Sequence, residues 1–105
     1  MKGDPMSNEK NFEVMAGIFK ALSDPTRLRI VHQLAEGEKC VQDLHEGTGK
    51  DMSTISRHLT ILKIHKVIES RREKTFIYYK LKSKFILDLF PCLGSMLGEI
   101  RKEEF

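Results

Sequence analysis

Apolar residues recur at helical spacing along most of the chain, and this pattern predicts five helices. The first helix is expected over residues 9–22. Asp24 and Pro25 then supply an N-cap and a first helical residue for the second helix, which Gly37 closes. A short third helix is expected over residues 40–46.

Two further segments complete the helical pattern. Gly47-Thr48-Gly49 is expected to form a flexible turn, after which Asp51 caps a fourth helix that extends to about His65. Residues 83–101 return to helical spacing, although Pro91 falls inside this last helix and should kink or break it. The third helix, the glycine turn and the fourth helix together make a helix-turn-helix pattern.

The spacing of the apolar residues changes between the fourth and the last helix. Residues 67–72 and 76–81 are rich in β-branched and aromatic residues, and Glu73-Lys74-Thr75 joins them. This arrangement predicts a β-hairpin with a polar, basic tip. The predicted fold is therefore mainly α with a small β-hairpin, in the order α-α-α-α-β-β-α, which is a winged helix-turn-helix.

The predicted fourth helix has two different faces. Ile55, Leu59 and Leu62 make a narrow apolar stripe, and the opposite face carries short hydroxyls and cations, with no acid after Asp51. Such a face can approach a polyanion closely, so we expect it to contact phosphates and base edges in the major groove of DNA, with Arg57 the best candidate for a guanine. The candidate contacts on this helix are Ser53, Thr54, Ser56, Arg57, Thr60 and Lys63.

The distribution of charge supports a nucleic-acid partner. The net charge is only +3, but residues 50–84 hold ten Lys or Arg and three acids, a local charge of +7. At the hairpin tip, Arg71, Arg72 and Lys74 are expected to grip the DNA backbone or the minor groove. The alternatives are a solvated basic face, or a winged helix used only for protein–protein contact.

The first and last helices carry apolar stripes that a core of this size could not fully cover. Pairing them with those of a second copy would bury both stripes about a two-fold axis, whereas intramolecular packing alone is the alternative. A dimer would read successive major grooves of an imperfect palindrome in double-stranded DNA. The expected interface residues are Phe12, Met15, Phe19, Leu89, Leu93, Met96 and Leu97.

The sequence does not favour membrane or catalytic roles. No apolar run approaches the roughly 20 residues of a membrane span, and residues 1–10 lack the apolar core of a signal peptide, so a cytoplasmic location is expected. It contains neither a Gly-rich phosphate loop nor a His-Glu-x-x-His motif, so an enzyme is not expected. We expect residues 1–8 to be a mobile N-terminal tail, 9–101 the DNA-binding and dimerisation domain, and 102–105 a C-terminal tail.

Four segments closely resemble the arsenic-repressor (ArsR/SmtB) family: Lys20–Ile30, Ser53–Leu59, Glu69–Arg72 and Tyr78–Leu81. The likeness covers about residues 12–82, with all motifs in the family order. It implies a homodimeric winged-helix repressor that leaves its operator when an effector binds, commonly a metal or metalloid ion.

The chain also departs from the pattern of this family. Arsenic sensors often carry Cys-Val-Cys-Asp-Leu at the start of the third helix, where this chain has Cys40-Val-Gln-Asp-Leu44. Zinc sensors place Asp and His ligands along the last helix, but residues 83–105 contain no His. Met52 stands where the family often has a base-reaching Gln, and Lys66 where it usually turns on Gly. The resemblance therefore leaves the effector and the operator sequence open.

The two cysteines, Cys40 and Cys92, are the candidate sensor residues. Three interpretations remain open: inert buried thiols, a site for As(III) or a soft divalent metal ion, and a dithiol or persulfide redox switch. A metal site would need a further ligand, from a second protomer or from His32 or His45. A disulfide would need the two Cα atoms within about 7 Å of each other.

Overall fold

The structure is a computed structural model, and it describes residues 8–104. The predicted mobile tail lies outside the described residues except for Asn8, whose side chain accepts a hydrogen bond from the Lys10 N–H at 2.9 Å and caps the first helix. The elements are α1 (Glu9–Ala21), α2 (Pro25–Leu34), β1 (Lys39–Cys40), α3 (Val41–Thr48), α4 (Met52–Ile64), β2 (Ile68–Glu73), β3 (Phe76–Leu81) and α5 (Phe85–Glu104). No helix among these residues is long and apolar enough to cross a membrane.

The predicted caps of α2 and α4 are confirmed. Asp24 Oδ2 accepts hydrogen bonds from the backbone N–H groups of Thr26 at 2.9 Å and Arg27 at 3.1 Å. At the start of α4, Asp51 Oδ1 accepts from the N–H of Thr54 at 2.7 Å. Each carboxylate satisfies amide groups that have no partner inside their own helix, and so fixes the residue at which the helix begins.

The predicted turn between α3 and α4 is shorter than expected, because Gly47 and Thr48 still belong to α3. Gly47 faces α2 so closely that a Cβ there would lie 2.5 Å from Gln33 Oε1. Its missing side chain therefore leaves room for the end of the Gln33 side chain, and Gly47 does not end the helix. The turn itself begins at Gly49, whose φ of 74° lies in the left-handed region that favours glycine.

The hairpin forms as predicted, but a third strand joins it. Strands β2 and β3 pair antiparallel from Ile68 opposite Leu81 to Glu73 opposite Phe76. The unpredicted strand β1 pairs with the other edge of β3, so the sheet order is β1-β3-β2. Cys40, expected to begin the third helix, is the last residue of β1 and the N-cap of α3.

The core lies between the helix-turn-helix and the sheet. The predicted stripe of α4 is fully buried. Its buried neighbours come mainly from α2, α3 and β2. The largest side chains with less than 2% exposure among residues 8–103 are Ile30, Val31, Leu44, Ile55, Leu59, Leu62 and Ile68. This core sets the orientation of α4, because its apolar side must face inward.

The last helix continues through Pro91, so of the predicted kink or break, the break does not occur. Proline removes one N–H, and the carbonyl left without that donor belongs to Leu87, which is exposed and can bond water instead. Among residues 85–103 of this helix only Ile86 is buried, while Leu89 and Phe90 are partly buried and pack against the core. The rest of α5 projects away from the core.

Candidate nucleic-acid interface

The outer face of α4 is exposed almost as predicted. Ser53, Ser56, Arg57, Thr60 and Lys63 are exposed, and the sixth candidate, Thr54, is half-buried. This arrangement follows from the burial of the opposite stripe. The helix therefore presents hydroxyls and cations to solvent along its length.

Several of these side chains are already oriented by hydrogen bonds. Ser53 Oγ donates to Asp51 Oδ1 at 3.1 Å, and Lys63 Nζ donates to Ser70 Oγ of the hairpin at 2.7 Å. Hydrogen bonds from Thr54 and Ser53 hold the pKa of Asp51 below its usual range, so this carboxylate is charged at neutral pH. Arg57 has no hydrogen-bond or ion-pair partner within residues 8–104, and its guanidinium is free to meet a ligand.

The three cations predicted at the hairpin differ in their surroundings. Arg72 and Lys74 are exposed and have no partner in the part of the chain that the structure describes. Arg71, in contrast, donates to both oxygens of Glu38 at 2.7–3.1 Å and to Glu73 Oε2 at 2.8 Å. These hydrogen bonds raise the pKa of Arg71 and lower that of Glu38, so the ion pair is formed at neutral pH.

An arginine that the sequence did not single out joins three helices. Arg27 Nε donates to the backbone carbonyl of Ala21 at 2.6 Å, and Arg27 Nη1 lies 3.0 Å from His58 Nδ1 on α4. His58 Nδ1 is also 4.0 Å from Asp24 Oδ2. His58 therefore contacts two residues at the start of α2, and Arg27 ties α4 to α1 and α2.

Cys40 and Cys92 are both free thiols and lie on different elements. Cys40 is half-buried, and its Sγ lies 3.3 Å from Asp43 Oδ2, which also accepts its backbone N–H. Cys92 is exposed on α5. Among residues 8–104, no three or more His, Cys, Asp or Glu side chains are arranged to hold a metal ion.

The two histidines considered as further ligands have other partners in this structure. The His32 ring packs edge-on against Phe90, with ring centroids 5.3 Å apart. His45 Nδ1 lies 2.7 Å from the carbonyl of Lys50. A metal site that includes Cys40 would therefore need ligands from outside this protomer or a change of partner by a histidine.

The residues predicted for dimerisation leave two apolar surfaces uncovered. Phe12 and Phe19 of α1 are exposed, as are Leu93, Met96 and Leu97 of α5. The remaining two candidates, Met15 and Leu89, are half-buried. Apolar side chains concentrated on two helices in this way are typical of a protein–protein interface.

The buried three-helix core, the capped helix with a cationic outer face and the basic hairpin define a winged helix-turn-helix DNA-binding regulator of transcription. The comparison with known proteins agrees: the profile of the bacterial regulatory proteins of the arsR family matches residues 24–68. The chain belongs to the ArsR family, as its motifs indicated, and is a transcriptional repressor and not an enzyme.

Individual relatives match most of the chain. The transcriptional repressor SdpR of Bacillus subtilis is 40% identical over 88 residues, which cover 84% of this chain and 94% of that protein. The cadmium resistance transcriptional regulatory protein CadC of Listeria innocua is 40% identical over 97 residues, 90% of this chain and 77% of that protein. A solved homodimeric winged helix-turn-helix DNA-binding domain from Mycobacterium bovis has a TM-score of 0.80 and 30% identity, covering 98% of this chain and 95% of that one.

Proposed function

We propose that this repressor is a homodimer that binds an imperfect palindrome in double-stranded DNA and is released by an effector at its thiols. The main support for DNA binding is a set of exposed cations that have no hydrogen-bond or ion-pair partner within residues 8–104. These cations are Arg57 on α4 and Arg72 and Lys74 on the hairpin. Cations that lack carboxylate partners remain available for phosphates and base edges. Since its proposed ligand is double-stranded DNA, the proposed place of action is the cytoplasm.

In the proposed complex, α4 lies in the major groove. Arg57 donates two hydrogen bonds to a guanine, because its planar fork matches the two acceptors of that base. Arg72 and Lys74 contact the backbone or the minor groove beside it. The shorter side chains of α4 supply the remaining contacts to phosphates and base edges, from Ser53, Thr54, Ser56, Thr60 and Lys63.

Duplexes selected by the protein from a random-sequence library test this arrangement. Binding should weaken steeply between about 50 and 200 mM salt, because phosphate contacts release counterions. Arg57→Ala should cost about 1–3 kcal/mol and relax the preference for one guanine, whereas Lys74→Ala should weaken binding to all sequences and reduce the salt slope by about one. Lys102→Ala, an exposed cation on α5, is the control.

A protein used only for protein–protein contact would give a different result. It would bind no duplex even at low salt, or would keep its sequence preference after Arg57→Ala. Either outcome contradicts the proposed role of α4.

The proposed dimer pairs α1 and α5 of one protomer with those of its partner. The exposed apolar residues of these helices support this pairing, since burying them stabilises the assembly by about 25 cal/mol per Å². Leu97→Glu should therefore give a monomer in sedimentation velocity and weaken operator binding. Phe76→Glu places the same charge on an equally exposed apolar residue of β3, which is not part of the proposed interface, and should leave the dimer intact. A dimeric Leu97→Glu variant would contradict this interface.

The proposed effector acts at Cys40, Cys92 or both, as a soft metal or metalloid ion or as a thiol oxidant. The Cys40 sulfur with the Asp43 carboxylate beside it supports a metal site, and the relative CadC is named for cadmium resistance. The effector would bind the DNA-free form more tightly, and this difference in affinity would release the operator.

Operator binding by wild type, Cys40→Ser and Cys92→Ser distinguishes these chemistries. Each protein is titrated with As(III), Cd(II), Zn(II) and a persulfide or peroxide donor. The sensor thiol is the one whose loss abolishes the response, and the active reagent identifies the chemistry. If all three proteins bind DNA equally in every condition, the thiols are structural and the proposed effector site is wrong.

A further inference from the structure

Arg71 spans the sheet from one edge to the other. The strand order is β1-β3-β2, so β1 and β2 are the two edges and do not pair with each other. From β2, the Arg71 guanidinium lies 4.9 Å from the ring centroid of Tyr78 on β3 and reaches Glu38, the residue just before β1. Cys40 and Arg71 are both paired with Tyr78, on opposite sides of β3.

This contact joins the hairpin to the chain that enters the helix-turn-helix. Strand β1 has only two residues in register with β3. Beside these two paired residues, Glu38 forms a bidentate ion pair in which Arg71 Nε and Nη2 are the donors. Such a planar, bidentate pair fixes direction as well as distance, which a single ammonium cannot do.

The alternation of side chains separates Arg71 from the cations proposed to meet DNA. Successive residues of a strand point to opposite faces, so Arg71 shares its face with Glu69 and Glu73. Arg72 instead shares a face with Ser70, whose hydroxyl accepts a hydrogen bond from Lys63 of α4. The recognition helix and Arg72 therefore lie on one side of the hairpin, and Arg71 lies on the other, acidic side.

We propose that Arg71 is a positioning residue, which with Glu38 clamps the wing against β1 so that Arg72 and Lys74 meet the phosphates. This role rests on the proposed DNA contacts of those two residues. It differs from the sequence-based prediction that Arg71 itself contacts DNA, and the two roles give opposite results when Glu38 is changed.

The decisive comparison is Glu38→Gln against Glu69→Gln in duplex binding over a range of salt concentrations. Both variants remove one negative charge near the wing, but Glu69 contacts Lys80 and not Arg71. With a clamp, Glu38→Gln should bind several-fold more weakly than Glu69→Gln, with the salt slope reduced by up to about two as the wing contacts are lost. If Arg71 is a phosphate contact, Glu38→Gln releases its Nε and Nη2 from the carboxylate while Nη1 keeps Glu73, and both affinity and slope should rise.

Arg71→Lys provides a second test, because it keeps the charge and loses the fork. A clamp predicts that it behaves like Arg71→Ala, whereas a phosphate contact predicts binding close to that of wild type. In the free protein, amide hydrogen exchange in β1 should accelerate in Glu38→Gln and not in Glu69→Gln.

These experiments test the proposed DNA contacts and the positioning role of Arg71 separately. A wild-type protein that binds no duplex overturns the proposed DNA contacts. A wild-type protein that binds, together with a Glu38→Gln variant at least as tight as Glu69→Gln, overturns the positioning role alone.

Discussion

Removing the Arg27 side chain should destabilise the protein more than any exposed substitution on α2. Its Nε donates to the carbonyl of Ala21, a residue that is only 1% exposed. In a continuing helix this carbonyl would accept from the residue four positions on, but that residue is Pro25, which has no N–H. Arg27 supplies the missing donor and also contacts His58 on α4.

The magnitude follows from these contacts. A hydrogen bond with a charged partner contributes about 1.5–3 kcal/mol, and an unsatisfied buried carbonyl costs a similar amount when its partner is removed. Because these describe the same loss from two sides, we expect Arg27→Ala to lower the free energy of unfolding by about 2–3 kcal/mol in total. For a domain of this size, the melting temperature should fall by on the order of 10–20 °C.

Urea unfolding at a single protein concentration measures this change, since the stability of a dimer depends on concentration. Arg29→Ala is the matched control, because Arg29 is an exposed arginine of the same helix, and it should stay within about 0.5 kcal/mol of wild type. Arg27→Lys should lie between the two, since one ammonium cannot reach both partners. If Arg27→Ala and Arg29→Ala unfold at the same urea concentration, the proposed support for the Ala21 carbonyl is wrong.

Three further predictions concern stability. Asp24→Ala should lower the free energy of unfolding by about 1 kcal/mol and Asp24→Asn by much less, as measured in urea, because asparagine also caps helices. The backbone hydrogen bond from Arg27 lowers the pKa of Asp24 from 3.8, so its contribution is fully present above about pH 4 and is lost as pH falls through the folded-state pKa. Acid unfolding should therefore be less steep in Asp24→Asn, and an unchanged slope would contradict the lowered pKa. Lys66 has a φ of 64°, so Lys66→Gly should relieve up to about 1 kcal/mol of backbone strain and raise the melting temperature. A lower melting temperature would show that contacts of the lysine side chain outweigh this strain.

The helix-turn-helix was predictable because its determinants are local. The cap at Asp51 and the stripe of Ile55, Leu59 and Leu62 lie within twelve residues of one another, and together they set both the start and the orientation of α4. Spacing along a helix was enough to identify the outward cations and hydroxyls. The winged hairpin followed in the same way from two short β-rich runs.

The features that the sequence did not reveal depend on residues that are distant along the chain. Arg71 and Glu38 are 33 positions apart, and Arg27 and His58 are 31 apart, so no local period connects them. Strand β1 has only two residues and carries no alternation that could be recognised. Gly47 was predicted to lie in the turn, and its place inside α3, beside the side chain of Gln33 on α2, could not be read from the local sequence.

The position of Cys40 at the edge of the sheet has a consequence for how release could be divided between the two copies. Each Cys40 is paired through β1 with the hairpin of its own protomer, so a change at this thiol would act in cis on one wing. A dimer with one modified Cys40 would then keep one intact wing and bind DNA with intermediate affinity. Cys92, on a helix proposed to be shared by both copies, would instead act on the two half-sites together. Modification of Cys40 would thus release DNA in a graded way, whereas modification of Cys92 would release it in an all-or-none way.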